Sequence, residues 1–152
     1  MSQNGEKAPE FSLANQDNTI VNLTDYRGKK VVLYFYPKDD TSGCTKEAEE
    51  FTQKKKEFDS LNTVILGISK DSTQSHETFC KKYNLGITLL SDPDTEINKA
   101  YDVWKEKSMY GKKYFGTERT TFLIDEDGII QQRWSKVKVT GHVEDVLKAL
   151  SK

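Results

Sequence analysis

The sequence predicts an α/β fold built on a mixed β-sheet, and three observations support this prediction. Residues 30–36 and 63–69 are short, nearly continuous apolar runs rich in β-branched residues, as in strands buried on both faces of a sheet. A helical pattern lies between them, which is the order of a right-handed βαβ unit with parallel strands. Asp127-Gly128 is a strong hairpin-turn signal, so the strands on either side of it add an antiparallel edge.

The first half of the chain supplies a hairpin and the first helix. Residues 11–13 and 19–23 flank a turn-like polar stretch and predict an N-terminal β-hairpin. A helix is predicted from Cys44 to about Asp59, because its apolar residues recur on one face. Those residues are Cys44, Ala48, Phe51 and Phe58.

The second half alternates helices and strands. Helices are predicted over 73–83, 95–101 and 142–150, and a short strand over 86–90. The basic, aromatic residues 103–116 predict a loop. A hairpin late in the chain followed by a terminal helix fits a thioredoxin-like plan, in which a central mixed sheet has helices on both faces.

Length and charge limit the kinds of partner. At 152 residues, residues 1–152 are expected to form a single domain. The net charge of −1 gives no reason to expect a nucleic-acid or membrane surface as a partner. No apolar run reaches the roughly 18 residues of a membrane span, and the N-terminus lacks the features of a signal peptide. We therefore expect a cytoplasmic protein.

The inventory of metal-binding and redox residues is small. Two cysteines, Cys44 and Cys80, and two histidines, His76 and His142, do not form the closely spaced set of a structural zinc site. We expect no metal and no cofactor. A static disulfide is also not expected in a reducing cytosol, so the thiols serve either packing or redox chemistry.

Cys44 follows the first buried strand, where the predicted helix begins. Backbone N–H groups and the positive end of the helix dipole favour a thiolate over a thiol at such a position. Cys44 also falls on the apolar face of its helix, so burial for packing alone is the alternative. Its neighbours favour chemistry: Pro37 ends the strand, the Thr41 hydroxyl can cap the helix or bind a ligand, and Gly43 lets backbone approach closely.

The spacing of Pro37, Thr41, Cys44 and Glu47 resembles the active-site signature of peroxiredoxins. Other stretches along the whole chain resemble the PrxQ, or bacterioferritin comigratory protein, branch, in which a proline usually stands where this chain has Ser42. We expect a slightly looser loop and unchanged chemistry. The matching stretches are Gly43–Ala48, Leu66–Ser69, Leu89–Asp92, Val103–Lys107 and Phe122–Gly128.

This resemblance implies a thiol-dependent peroxidase of hydrogen peroxide and organic hydroperoxides. The Cys44 thiolate would attack one peroxide oxygen, become a sulfenic acid and release water or an alcohol. Hydrogen-bond donors aimed at the developing charge would come from Thr41, from backbone N–H groups and from an arginine. Thioredoxin or a similar dithiol would recycle the protein, which we expect to be a monomer or a weak homodimer.

Arg119 is the candidate arginine, because it stands where peroxiredoxins carry their catalytic arginine. Its rigid set of donors suits both a thiolate and a peroxide. The alternative is a surface ion pair with Glu118 or Glu126. Glu47 likewise has two interpretations: ordinary stabilisation of a helix start, or, by the resemblance, orientation of the arginine.

Cys80 is the candidate resolving cysteine. Relatives with both cysteines on one helix place the second five residues after the first, and Glu49 occupies that position here. The resemblance to a subset of PrxQ proteins implies a Cys44–Cys80 disulfide, and Cys80 shares its helix side with His76 and Glu77, which predicts partial exposure. The geometry of a disulfide then requires the first turn of the Cys44 helix to unwind. Inert packing of Cys80 is the alternative.

Several other functions remain open. A one-cysteine peroxidase would use an external thiol, and a non-catalytic thioredoxin-like binding domain would keep only the fold. A dithiol oxidoreductase is disfavoured because no Cys-x-x-Cys pair is present. A glutathione-peroxidase-type enzyme would stabilise its cysteine with amide and indole side chains rather than with an arginine.

Overall fold

The computed structural model describes residues 3–151. Within that range the structure contains nine strands and five α-helices. In chain order they are β1 (Ser12–Ala14), β2 (Ile20–Asn22), β3 (Lys30–Phe35), α1 (Ser42–Gln53), α2 (Lys55–Ser60), β4 (Thr63–Ser69), α3 (Thr73–Tyr83), β5 (Thr88–Ser91), α4 (Glu96–Ala100), β6 (Trp104–Met109), β7 (Lys112–Thr117), β8 (Thr120–Ile124), β9 (Ile130–Trp134) and α5 (His142–Leu150). None of the described helices is long and apolar enough to cross a membrane.

The central sheet has five strands in the order β5-β4-β3-β8-β9. Strands β3, β4 and β5 are parallel, whereas β8 pairs antiparallel with both β3 and β9. The expected mixed sheet and the hairpin at Gly128 are therefore confirmed. The apolar runs became β3 and β4 because central strands are buried on both faces.

Side chains alternate between two cores on the two faces of the sheet. Val32 and Tyr34 pack with residues of α1, α2, α3 and α5. Leu33 and Phe35 point the other way, into a core formed with the N-terminal hairpin and α4. The expected thioredoxin-like arrangement, with helices on both faces and an N-terminal hairpin, is confirmed.

Two local predictions were wrong. Residues 103–116 are not a loop, because β6 and β7 form an antiparallel hairpin. Its turn, Tyr110-Gly111, has φ values of 52° and 78°, so both central residues take the left-handed conformation of a two-residue hairpin turn. Exposed side chains on both faces hid the alternating pattern. The helix predicted over 44–59 is also interrupted at Lys54, which separates α1 from α2.

Gly67 of β4 lies between Tyr34 of β3 and Leu89 of β5 in the strand register. A Cβ at position 67 would lie 2.8 Å from Tyr34 Cζ and 2.9 Å from Leu89 Cδ2. The Tyr34 ring stacks on Phe51 of α1 at a centroid distance of 4.8 Å. The missing side chain thus lets the Tyr34 ring lie flat beneath the helix that carries Cys44.

We expect Gly67→Ala to lower the free energy of unfolding by roughly 1–3 kcal/mol, as overpacking does in a dense core. Urea unfolding measures the change. Gly86→Ala is the matched control, because a Cβ at position 86 would meet its nearest neighbour at an ordinary 3.5 Å. Equal stabilities of the two variants would contradict the prediction.

Candidate active site

The sulfur of Cys44 lies at the start of α1, close to the end of β3. The strand ladder ends where the Tyr36 N–H donates to Ile68 O at 3.1 Å, because Pro37, the next residue, has no N–H. Cys44 is the third residue of α1, and its side chain is 2% exposed. The thiol therefore lies in the first turn of a helix, as the sequence predicted, and it is buried there.

Arg119 reaches both Cys44 and Glu47. Its Nη2 lies 3.2 Å from Cys44 Sγ, and its Nη1 donates to Glu47 Oε1 at 2.7 Å. The sheet explains the meeting: Thr120, the first residue of β8, pairs with Phe35 at the end of β3. The residue before β8 and the helix after β3 consequently lie at the same edge of the sheet.

The surface ion pair considered for Arg119 is not what forms. Its carboxylate partner is Glu47, which is fully buried, and the Arg119 side chain is itself only 17% exposed. Burial lowers the pKa of Arg119, but the neighbouring Glu47 and Cys44 raise it above its ordinary value. The guanidinium therefore stays positively charged beside the sulfur.

Glu47 binds a proton more tightly than an ordinary glutamate. Burial raises its pKa to about 7, Arg119 opposes that shift, and the charge of Glu50 adds to it. Its second oxygen, Oε2, is buried without a hydrogen-bond partner among residues 3–151. An unpaired charge on a buried oxygen is costly, which is the physical reason for the raised pKa.

Thr41 and Gly43 complete the start of α1. Thr41 occupies the N-cap position, but its hydroxyl caps no helix N–H and instead donates to Lys38 O at 2.8 Å. Of the two roles considered for this hydroxyl, the helix cap is therefore not formed. At Gly43, a Cβ would lie 3.3 Å from Arg119 Nη2, so this glycine permits the close approach of the guanidinium.

Cys80 lies on α3 and packs at the edge of the same apolar core as Cys44. Both thiols are free. Cys80 is half-buried, so the predicted partial exposure is confirmed, although His76, expected on the same exposed side, is fully buried. Burial, with smaller contributions from Asp39 and Asp17, raises the pKa of Cys80 to about 11.

Known proteins that resemble the chain show which family it belongs to. The model of the AhpC/TSA family matches residues 4–133. The chain belongs to the AhpC/TSA family. It is 53% identical over 146 residues to a putative peroxiredoxin Bcp of Coxiella burnetii, covering 96% of this chain and 97% of that protein. It is 47% identical to peroxiredoxin Bcp of Bacillus subtilis, covering 96% and 93% of the two chains.

Solved structures place this peroxiredoxin in the PrxQ branch. Peroxiredoxin Q of Xanthomonas campestris is 45% identical with a TM-score of 0.89, covering 93% of this chain and 89% of that chain. A PrxQ variant of Xylella fastidiosa is 40% identical with a TM-score of 0.95, covering 99% and 96%. The family resemblance seen in the sequence is therefore confirmed, and the chain is a thiol peroxidase.

Sequence reasoning missed how firmly the loop before α1 is attached to α3. Asp39 is buried against Ser75 and His76, and Asp40 binds residues in the last turn of α3. The available signal was the acidic pair directly after Pro37 and Lys38. Without the fold, nothing in this pair indicates that it faces a helix more than 30 residues later.

The raised pKa of Glu47 predicts a pH dependence of stability. The folded chain holds this proton up to about pH 7, whereas an unfolded glutamate loses it near 4.5. The contribution to stability is thus complete below pH 4.5 and is lost as the pH rises through 7. Glutamine does not titrate. The unfolding free energy of Glu47→Gln minus that of the wild type should therefore rise by roughly 3 kcal/mol between pH 4 and pH 8.

Urea unfolding at both pH values measures that difference. Glu49→Gln removes another carboxylate from α1 and controls for the general change in charge. If the difference in unfolding free energy between the wild type and Glu47→Gln is the same at both pH values, Glu47 has no raised pKa.

Proposed function

We propose that Cys44 is the peroxide-attacking residue of this peroxiredoxin. Its thiolate attacks the nearer oxygen of the peroxide, an S–O bond forms, and the O–O bond breaks. The sulfur becomes a sulfenic acid, and the departing hydroxide or alkoxide takes up a proton to leave as water or an alcohol. The observation that carries this proposal is the 3.2 Å contact between Arg119 Nη2 and Cys44 Sγ.

Arg119 acts on charge at two stages. Before the reaction it stabilises the thiolate, and during the reaction its donors favour the negative charge that spreads over the sulfur and both oxygens. The bond to Glu47 fixes the plane of the guanidinium, so Glu47 acts by positioning Arg119 rather than by touching the peroxide. Pro37 ends the strand and shapes the pocket, and we assign the Thr41 hydroxyl as a further donor to the peroxide.

The Thr41 hydroxyl must rotate for this role. It donates to Lys38 O in the structure, and Thr41 is exposed. A hydroxyl has one hydrogen, so binding a peroxide oxygen replaces the bond to Lys38. The exposed position makes this exchange inexpensive, because water can satisfy the released carbonyl.

We assign Cys80 as the residue that resolves the sulfenic acid. Its thiol displaces the hydroxyl group of oxidised Cys44, which forms a disulfide and releases water. Two variants of Xanthomonas campestris peroxiredoxin Q with known structures replace cysteines that are 36 positions apart, the same separation as between Cys44 and Cys80. A one-cysteine cycle with an external thiol is the alternative.

The raised pKa of Cys80 indicates that resolution needs a local opening. Thiolates are the attacking species, and a thiol with a pKa of about 11 is almost wholly protonated near neutral pH. Unwinding of the first turn of α1, together with exposure of Cys80, removes the burial that raises this pKa. The exposed disulfide is then accessible to thioredoxin or a similar dithiol.

The substrate class proposed here is hydrogen peroxide and organic hydroperoxides. The bacterioferritin comigratory protein of Xanthomonas campestris, 44% identical with a TM-score of 0.89, has alkyl peroxide reduction activity. We extend that activity to this chain. A monomer or weak homodimer and a cytoplasmic location belong to the same proposal.

We expect Cys44→Ser to abolish reaction with peroxide, because serine supplies no thiolate. We expect Cys80→Ser to consume one equivalent of peroxide and then to stop turning over with thioredoxin and thioredoxin reductase. Peroxide consumption measures both, and mass spectrometry should find a Cys44–Cys80 linked peptide with a loss of two mass units in the oxidised wild type. Full turnover by Cys80→Ser would favour the one-cysteine cycle.

We expect Arg119→Ala to slow the first oxidation of Cys44 by about 10²–10³-fold, the usual effect of removing one aligned charge-stabilising donor. Stopped-flow measurement with substoichiometric peroxide isolates this step. Arg119→Lys keeps the charge but loses the two-pronged geometry, so it should recover only part of the rate. An unchanged rate in Arg119→Ala would remove Arg119 from the proposal.

A further inference from the structure

The loop before α1 is fixed to α3 at a buried contact. The Asp39 Oδ2 atom accepts a hydrogen bond from Ser75 Oγ at 2.8 Å and lies 2.7 Å from His76 Nδ1. The other ring nitrogen of His76 lies 2.9 Å from Leu90 O. Both ring nitrogens lie within hydrogen-bond distance of oxygen atoms, so the imidazole is held from two sides. Tyr36 adds a hydroxyl bond to Asp39 Oδ1 at 2.6 Å.

A second contact holds the same loop to the other end of α3. The Asp40 Oδ2 atom accepts a hydrogen bond from Lys82 Nζ at 2.8 Å, and Oδ1 accepts one from the Tyr83 hydroxyl at 2.5 Å. Asp40 has a φ of 60°, a conformation that aspartate and asparagine tolerate better than most residues. Cys80 lies on α3 between the buried contact at its start and this contact at its end.

We propose that residues 38–40, held on α3 by Asp39 and Asp40, form a fixed pivot from which the unwound start of α1 carries oxidised Cys44 to Cys80. This inference rests on the proposed function, because it concerns the formation of the Cys44–Cys80 disulfide. Asp40, Lys82 and Tyr83 are positioning residues for that step.

The length of chain beyond the pivot is sufficient. Three residues separate Asp40 from Cys44, so an extended chain spans about 13–14 Å between their Cα atoms. Asp40 is bound to Lys82 and Tyr83, which follow Cys80 within one helical turn. Cys44 can therefore reach Cys80 while Asp40 stays where it is.

The relative cost of the contacts decides which of them open. Unwinding the first turn of α1 breaks exposed or terminal bonds such as Thr45 N to Thr41 O, at 2.8 Å. Releasing Asp39 would instead separate a carboxylate from His76 Nδ1 where both side chains are buried, because Asp39 is 7% exposed and His76 is 0% exposed. The loop thus stays attached to α3 while the turn after it unwinds.

The pivot favours disulfide formation by proximity. The Cys80 thiolate attacks the sulfur of the Cys44 sulfenic acid, an S–S bond forms and the S–O bond breaks. The departing hydroxide takes up the proton that Cys80 released, so one water molecule leaves. A chain fixed close to Cys80 gives oxidised Cys44 a high effective concentration near the Cys80 thiol. In a loose chain disulfide formation is slower, and further oxidation of Cys44 by peroxide competes with it.

The test loosens the pivot from the α3 side. We expect the double variant Lys82→Met/Tyr83→Phe to form the disulfide about threefold to tenfold more slowly after one equivalent of peroxide, because two bonds to Asp40 are lost. Rapid quenching with an alkylating agent, followed by mass spectrometry, measures sulfenic acid and disulfide over time. The share of Cys44 oxidised to sulfinic acid at excess peroxide should rise, while the rate of the first oxidation stays unchanged.

Two further variants make the test specific. Asp40→Asn weakens the same contact from the loop side. Like Lys82→Met/Tyr83→Phe, it should slow disulfide formation. Lys81→Met removes a neighbouring lysine of α3 whose partner is Glu77 rather than Asp40. This variant should form the disulfide at the wild-type rate.

Each alternative outcome is decisive. Equal or faster disulfide formation in Lys82→Met/Tyr83→Phe and Asp40→Asn overturns the pivot, and a faster step would show that the contact restrains Cys44 instead. A first oxidation slowed as much as the second step also overturns it. If the oxidised wild type forms no Cys44–Cys80 disulfide, the proposed resolving role of Cys80 itself fails.

Discussion

The Arg119 guanidinium joins parts of the chain that lie 72 and 75 residues away from it, and the arrangement of the site depends on this contact. One nitrogen meets the Cys44 sulfur and another meets the Glu47 carboxylate, so a single planar group sets the distance between the reactive atom and a buried acid. The antiparallel pairing of β3 with β8 places Arg119 beside the start of α1. Without that antiparallel pairing, Arg119 would lie far from the start of α1.

Burial gives this contact both its strength and its cost. Removing Glu47 from water favours its neutral form, while the guanidinium favours its charged form, and the two effects leave its pKa near neutrality. The close balance means that the positive charge available to Cys44 depends on whether Glu47 holds a proton. In a low-dielectric site, a change of one charge acts strongly on a sulfur at 3.2 Å from the guanidinium.

A second group of buried polar contacts lies beside the site, between the loop after β3 and α3. Asp39, His76 and Tyr36 tie the loop after β3 to α3, and the ring of Tyr34 packs under α1 against Phe51. The first turn of α1 has no side-chain cap from Thr41. In the proposed cycle Cys44 meets first a peroxide and then Cys80, and a fixed loop beside an uncapped helix start suits that sequence of partners.

The sequence by itself determined the strands at 30–36 and 63–69 and the helices at 73–83 and 142–150, and it singled out Cys44 as the candidate reactive thiol. These predictions rest on local patterns: continuous apolar runs, helical spacing, and a cysteine at the junction of a strand and a helix. The resemblance to a family also indicated Glu47, through the spacing of the active-site signature, and Arg119, through its place at the start of a strand. The β6–β7 hairpin escaped prediction because its exposed strands bury no face, and period-two alternation appears only where one face is buried.

Only the tertiary structure decided which partners these residues have. Arg119 forms its ion pair with Glu47 rather than with Glu118 or Glu126. The reason is that the pairing of strands brings distant segments together in a way that local sequence does not encode. The burial of His76 and the attachment of Asp39 and Asp40 to α3 also depend on the packing of helix against loop. Charge, burial and distance are properties of the folded arrangement, and they convert a recognisable cysteine into a site with a defined electrostatic environment.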